Sequence, residues 1–202
     1  MKIAPYYLFL LIATVMTACA SHSKKIIIMA SSDIQVDPAT QKTVTVTEGT
    51  THHEKELIFT GGDPVTLNIQ TPAGKYTLEA AEDGIYIANL KPDTVVGSYQ
   101  HVGENADAKI DQDQLKLKID SLQKLIAGQN VTAANRNYFI VPGKMVKISP
   151  EVNAKIFGPF TTIPGGFDAG SVPEIYKFYS NKEVRAIIGS LTEMTKLKPG
   201  GQ

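Results

Sequence analysis

Few residues of this chain are spaced so that their chemistry can work together, and the first to weigh is a thiol. Cys19 is the only cysteine in 202 residues. A thiolate can serve as nucleophile, metal ligand or acyl acceptor. His52-His53-Glu54 is the most metal-like cluster. Neighbours on a strand point to opposite faces, and the HExxH spacing that puts two ligands on one helix face is absent. A metal site there needs His101 or a distant carboxylate, so a polar turn between strands is the simpler reading. Asp107, Asp111 and Asp113 invite calcium. A loop counted from Asp111 has Leu115 fifth and Lys116 sixth, where calcium needs an oxygen ligand and a glycine; helix capping fits these acids better. Ser98 lies near His101, yet no Gly-x-Ser-x-Gly elbow is present. Gly165 to Ser171 lacks the Gly-Lys-Ser/Thr end of a phosphate cradle and reads as a surface loop, or as a loop that meets a partner. No catalytic residue, metal site or cofactor is assigned, and the chain is not expected to be an enzyme.

The surroundings of Cys19 are more specific. Lys2 precedes an apolar run from Ile3 to Ala18, and the run ends in Met16-Thr17-Ala18-Cys19. This resembles the lipobox of bacterial lipoproteins, Leu-[Ala/Ser]-[Gly/Ala]-Cys, at which signal peptidase II cuts before a diacylated cysteine. Thr17 and Ala18 supply the small side chains beside the cut, and Met16 replaces the preferred Leu with another apolar residue. The resemblance implies a signal peptide over residues 1–18 and lipidation of Cys19. Ala20 follows the cysteine where an Asp retains enteric lipoproteins at the inner membrane, and no acidic surface-export cluster follows. Both features imply the outer membrane, facing the periplasm. Two other readings are open. An uncleaved membrane anchor would be short, because spanning takes about 20 residues, and the run contains Pro5. Ordinary secretion would leave an idle thiol. If Cys19 is acylated, no cysteine remains for a disulfide, and the domain must fold on its apolar core alone.

Removal of residues 1–18 takes away one charge, Lys2, and leaves 19 basic against 20 acidic residues. The remaining length supports one good-sized core or two small ones. Near-neutrality argues against nucleic acid, which needs clustered positive charge. With aromatics at 7% and no tryptophan, there is little to stack on a sugar ring.

Residues 19–41 read as the lipidated cysteine and a tether, although Ile26-Ile27-Ile28-Met29 is too apolar for a solvated linker and predicts a docked strand. From Lys42 onward, short β-branched and alternating runs recur between turns: 43–47, 57–59, 65–69, 76–78, 85–88 and 95–96. They predict an antiparallel β-sandwich or barrel-like domain over 42–103. Leu115, Ile119, Leu122 and Ile126 recur at helical spacing behind Asp111 or Asp113, with Gly128 as the stop. Strands are expected at 138–141, 145–148, 155–157 and 175–179, with a Pro/Gly-rich loop between Gly158 and Pro173. A last helix capped by Asn181 carries Val184, Ile187, Ile188 and Leu191. Residues 104–198 are thus a helix and a small α+β region, and the class is α+β, mainly β.

Asp93-Thr94-Val95 and Asp120-Ser121-Leu122 resemble the Asp-Ser/Thr-apolar acceptor of O-glycans in Bacteroidetes envelope proteins, and Asn130-Val131-Thr132 is a sequon only in a eukaryote. The leading expectation is a lipid-anchored envelope protein with a non-enzymatic binding or scaffolding role and an envelope protein partner. A periplasmic module for sugar or lipid is the second. It would need an aromatic-lined pocket, for which Tyr86, Tyr99, Tyr138, Tyr176 and Tyr179 are the candidates. A hydrolase or metalloenzyme using His52, His53 or His101 is the third.

Overall fold

An uninterrupted apolar strand has to be covered on both faces, and that requirement organises the whole molecule. In the computed structural model, which describes residues 22–100, 111–132, 134–163 and 173–196, strand β1 (Ser23–Ala30) holds five consecutive buried apolar residues from Ile26 to Ala30. It lies inside a four-stranded sheet beside β7 (Gly84–Asn89), with β4 (His53–Thr60) and β10 (Lys144–Ser149) at the edges. Ile26, Ile28 and Ala30 face one neighbouring sheet, while Ile27 and Met29 face another. Strand β7 alternates in the same way, with Tyr86 and Ala88 on one side and Ile85 and Ile87 on the other.

The first neighbouring sheet has the order β2 (Ile34–Val36), β3 (Thr43–Val46), β5 (Val65–Thr71), β6 (Gly74–Ala80). One of its faces is wet, so β5 alternates: Val65, Leu67 and Ile69 point in, Thr66 and Asn68 out. The second neighbouring sheet has the order β11 (Lys155–Phe157), β12 (Ile175–Ser180), β8 (Val95–Tyr99), β9 (Asn137–Ile140). Helices α1 (Gln112–Ile126) and α2 (Asn181–Lys196) cover its outer face, where Leu125 and Val184 pack with Val96, Phe139 and Tyr179. Three sheets and a helical layer are therefore stacked, and the class is α+β, mainly β.

Several expectations need correction. The sheets are mixed rather than antiparallel: β1 with β7, β3 with β5, and β11 with β12 run parallel. Parallel partners need a crossover, and the chain from β2 to β6 supplies one between β1 and β7. The sheets do not close into a barrel. The docked strand expected at Ile26–Met29 is present as β1, its isoleucines buried on both faces, and β2 also falls within the segment otherwise read as a tether. Strands on either side of residue 103 share sheets, since β10 pairs with β7 and β9 and β12 pair with β8. The segments 42–103 and 104–198 are thus interleaved. Cys19, the apolar run before it, His101, Asp107 and Gly165 to Ser171 lie outside the described residues.

The helix ends show how local chemistry sets boundaries. Asp111 caps α1 by accepting from the Gln114 amide at 2.7 Å. At the other end Gly128 has φ +70. Its amide donates to the Leu125 carbonyl (3.1 Å) and that of Gln129 to the Lys124 carbonyl (2.8 Å), a Schellman stop that favours glycine. For α2 the cap is Ser180, not Asn181. Ser180 Oγ accepts from the Glu183 amide at 3.3 Å, and Glu183 Oε2 accepts from the Ser180 amide at 2.6 Å, a reciprocal capping box. Replacing Ser180 with Ala is expected to remove about 1 kcal/mol of stability, read as a lower urea midpoint, whereas Ser180→Thr retains most of it.

Candidate functional site

Strands β1, β3 and β7 finish at the same end of the stack, and the turns that follow them wall a cleft. Its volume is about 880 Å³, and the turns joining β5 to β6 and β9 to β10 complete its rim. Val46, Leu78, Leu90 and Tyr76 give it an apolar lining. A smaller cleft of about 420 Å³ adjoins it and reaches the start of α2. Lys91 lines both.

Lys91 is placed by a buried asparagine. The side chain of Asn89 donates to the carbonyls of Asp93 (2.9 Å) and Ile140 (2.8 Å), and its oxygen accepts from the Lys91 amide (3.0 Å). The turn after β7 is thereby pinned to β9. Lys91 is only 6% exposed. Its Nζ lies 3.8 Å from Glu183 Oε1, within ionic reach but beyond a hydrogen bond. Burial pushes the lysine below its ordinary value, opposed by the carboxylates of Glu183, Glu54 and Asp93. The result is a desolvated ammonium held by three carboxylates, two of which, Glu183 and Asp93, line the smaller cleft.

The anion-friendly end of α2 is already filled. Asp93 Oδ2 accepts from the Lys182 amide at 3.0 Å, while Glu183 and Ser180 satisfy one another. Of His52-His53-Glu54, His52 lines the smaller cleft. His52 Nε2 is 2.7 Å from Glu54 Oε1, as two residues one apart on the same face allow. The ring meets Phe160 edge-on at 5.8 Å, and its Nδ1 is buried without a hydrogen-bond partner among the described residues. His53 begins β4 opposite Ala30. Among the described residues, no three His, Cys, Asp or Glu side chains gather to hold a metal. Asp113 pairs with Lys116 on the surface of α1, and Ser98 Oγ accepts from the Gln100 amide group at 2.9 Å.

The five tyrosines singled out from the sequence do not line either cleft. Tyr86 points into the core and donates to the Glu82 carbonyl at 2.7 Å. Tyr99, Tyr138 and Tyr176 pack edge to face with centroids 5.6 and 5.8 Å apart. Arg136 lies 4.2 Å over the Tyr99 ring and pairs with Glu174. Burial raises the phenols of Tyr138 and Tyr176 above the ordinary range. Tyr179 packs under the helices. Tyr76, which alternation alone marked as a strand residue, is the tyrosine of the cleft wall. The two glycan-like motifs differ in access. Thr94 is half-buried with its amide and carbonyl engaged and Val95 fully buried behind it, whereas Ser121 is exposed on α1.

The opposite end of the stack is where β1 begins. Lys24 is fully buried there and donates to the Gly61 carbonyl and Asp83 Oδ1, each at 3.1 Å. Asp83 also pairs with His22, and hydrogen bonds from His22 and then Lys24 hold its carboxyl below the usual range. The start of β1 is thus locked four residues after Cys19. Among the described residues, no helix is long and apolar enough to cross a membrane. No protein-family model, no curated protein and no solved structure matches the chain.

Proposed function

We propose that this is a lipid-anchored protein of the bacterial envelope, held through Cys19 in the outer membrane on its periplasmic face. It has a non-enzymatic binding or scaffolding role toward an envelope protein partner. The observation that carries the anchor is Met16-Thr17-Ala18-Cys19 at the end of an apolar run, with a locked strand beginning at Ser23. Four residues span at most about 14 Å, so an acylated Cys19 keeps the His22–Lys24 end close to the bilayer. Strand β1 has eight residues and climbs roughly 3.3 Å with each, so the clefts open about 25 Å further out. This arrangement favours a partner met in the aqueous space. A module for a sugar or a lipid is the second reading, favoured by the size of the larger cleft, which lies within the usual range for small-ligand sites.

Inhibition of signal peptidase II in cells making the protein is the test. The expected outcome is accumulation of a precursor that retains residues 1–18. Normal processing under inhibition contradicts the anchor.

A further inference from the structure

The larger cleft combines an apolar base with balanced charges, and the two together select a ligand class. Val46, Leu78 and Leu90 sit at the base. Among the described residues, the charged ones that line the cleft are Lys91, Lys144 and Glu48. The Lys91 ammonium is taken up by Glu183, Glu54 and Asp93. Lys144 and Glu48 are exposed and of opposite sign. No unbalanced charge therefore faces the base, and an ionised occupant would lose hydration there without gaining a counterion. One directional polar group is left. Tyr76 is half-buried on the wall. Its hydroxyl has no hydrogen-bond partner among the described residues, so it is able to donate and to accept. Sugar hydroxyls set against Val46, Leu78 and Leu90 would go unpaired. An extended peptide draws on backbone donors, and Pro72, Pro92 and Pro142 of the lining have no amide to give. An uncharged hydrocarbon chain with a polar head at one end meets none of these penalties.

We propose that this cleft receives a single-chain uncharged lipid of the monoacylglycerol class: its hydrocarbon chain rests on Val46, Leu78 and Leu90, and a head-group oxygen pairs with the Tyr76 hydroxyl. The proposal deepens the second reading above, a module for a small ligand, and depends on neither the lipid anchor nor a protein partner. The cleft volume of about 880 Å³ lies within the usual range for sites that take one such molecule. Tyr76 orients the head group, and the balanced charges select against fatty acids and cationic amphiphiles alike.

The test is photolabelling of the full-length protein in phospholipid nanodiscs with monodecanoylglycerol carrying a diazirine in its chain. The matching fatty acid and the matching alkyl-trimethylammonium, each with the same diazirine, serve as charged comparison probes. If the chain is not acylated, it is labelled in buffer, so failure of the anchor does not obscure the result. The neutral probe is expected to label peptides that contain residues 71–78 or 90–92, and excess unlabelled monodecanoylglycerol is expected to remove that label. Each charged probe labels these peptides about tenfold less. Tyr76→Phe lowers the neutral labelling about fivefold. The comparison of the three probes on the unaltered protein stands even if the variant fails to fold. Equal labelling by the three probes, label absent from these peptides, or label that unlabelled monodecanoylglycerol does not displace overturns the proposal. Unchanged labelling of a folded Tyr76→Phe protein overturns the pairing with the hydroxyl. Stronger displacement by the amide of N-acetyl-Ala-Val-Leu than by monodecanoylglycerol overturns the lipid in favour of a peptide.

Discussion

Phe178→Ala is expected to lower the stability of the fold by about 3–5 kcal/mol. Phe178 is fully buried in β12 and belongs to the core between the central sheet and the helix-backed sheet. Its ring lies across Gly97 of the paired strand β8. A Cβ at position 97 would come within 2.3 Å of the ring, so glycine there is what lets the ring lie flat on the strand. Tyr138 closes another side, with ring centroids 5.8 Å apart. Truncation leaves a cavity that strands on both sides cannot collapse to fill. Domains are stable by only about 5–15 kcal/mol, so the loss is a large share of the total. Urea denaturation reads it as a lower midpoint at unchanged slope. A midpoint equal to that of the unaltered protein would mean that these two sheets do not pack through Phe178.

The second large effect is all-or-none. Cys19→Ala is expected to abolish acylation, read as complete loss of labelled palmitate from the purified protein. Each buried methylene contributes roughly 0.8 kcal/mol, and a single chain holds a protein only marginally. A diacylglyceryl group with a further N-acyl chain makes attachment lasting. The apolar run before Cys19 is too short to replace it, since a spanning helix needs about 20 residues. Label retained in the variant would place the lipid elsewhere or show the label to be adventitious.

The strands were readable from the sequence because their chemistry is local. Thr43 to Thr47 is wholly β-branched, Val65-Leu67-Ile69 alternates, and the isoleucines of β1 demand cover on two sides. The pairing of these strands was not readable. β1 meets β7 some sixty residues on, and β7 meets β10 after a further gap of similar length; neither partner is marked by its own sequence. The capping box Ser180-x-x-Glu183 is present in the sequence, yet Asn181, an equally good cap residue, sits one position later and competes with it. Asp111 was legible as a cap because nothing nearby competed with it.

The candidate site was the least legible feature. Leu90-Lys91-Pro92-Asp93 reads as an ordinary solvated turn, and lysine is rarely buried. Lys91 is buried nonetheless, and α2, about ninety residues away, brings Glu183 to 3.8 Å from it. Asn89 pins the turn from the other side. The tyrosines misled in the opposite sense. Scattered over ninety residues, they suggested a pocket, but Tyr99, Tyr138 and Tyr176 converge on one another and on Arg136 instead.

Intact-mass analysis of the membrane-extracted protein, run beside the Cys19→Ala variant, distinguishes a lipid-anchored protein from a secreted one. The expected species is a mature chain that begins at Cys19 and carries added acyl mass, with that mass missing from the variant. A soluble, unacylated product with a free thiol or a different N-terminus would contradict it and leave a secreted β-rich domain.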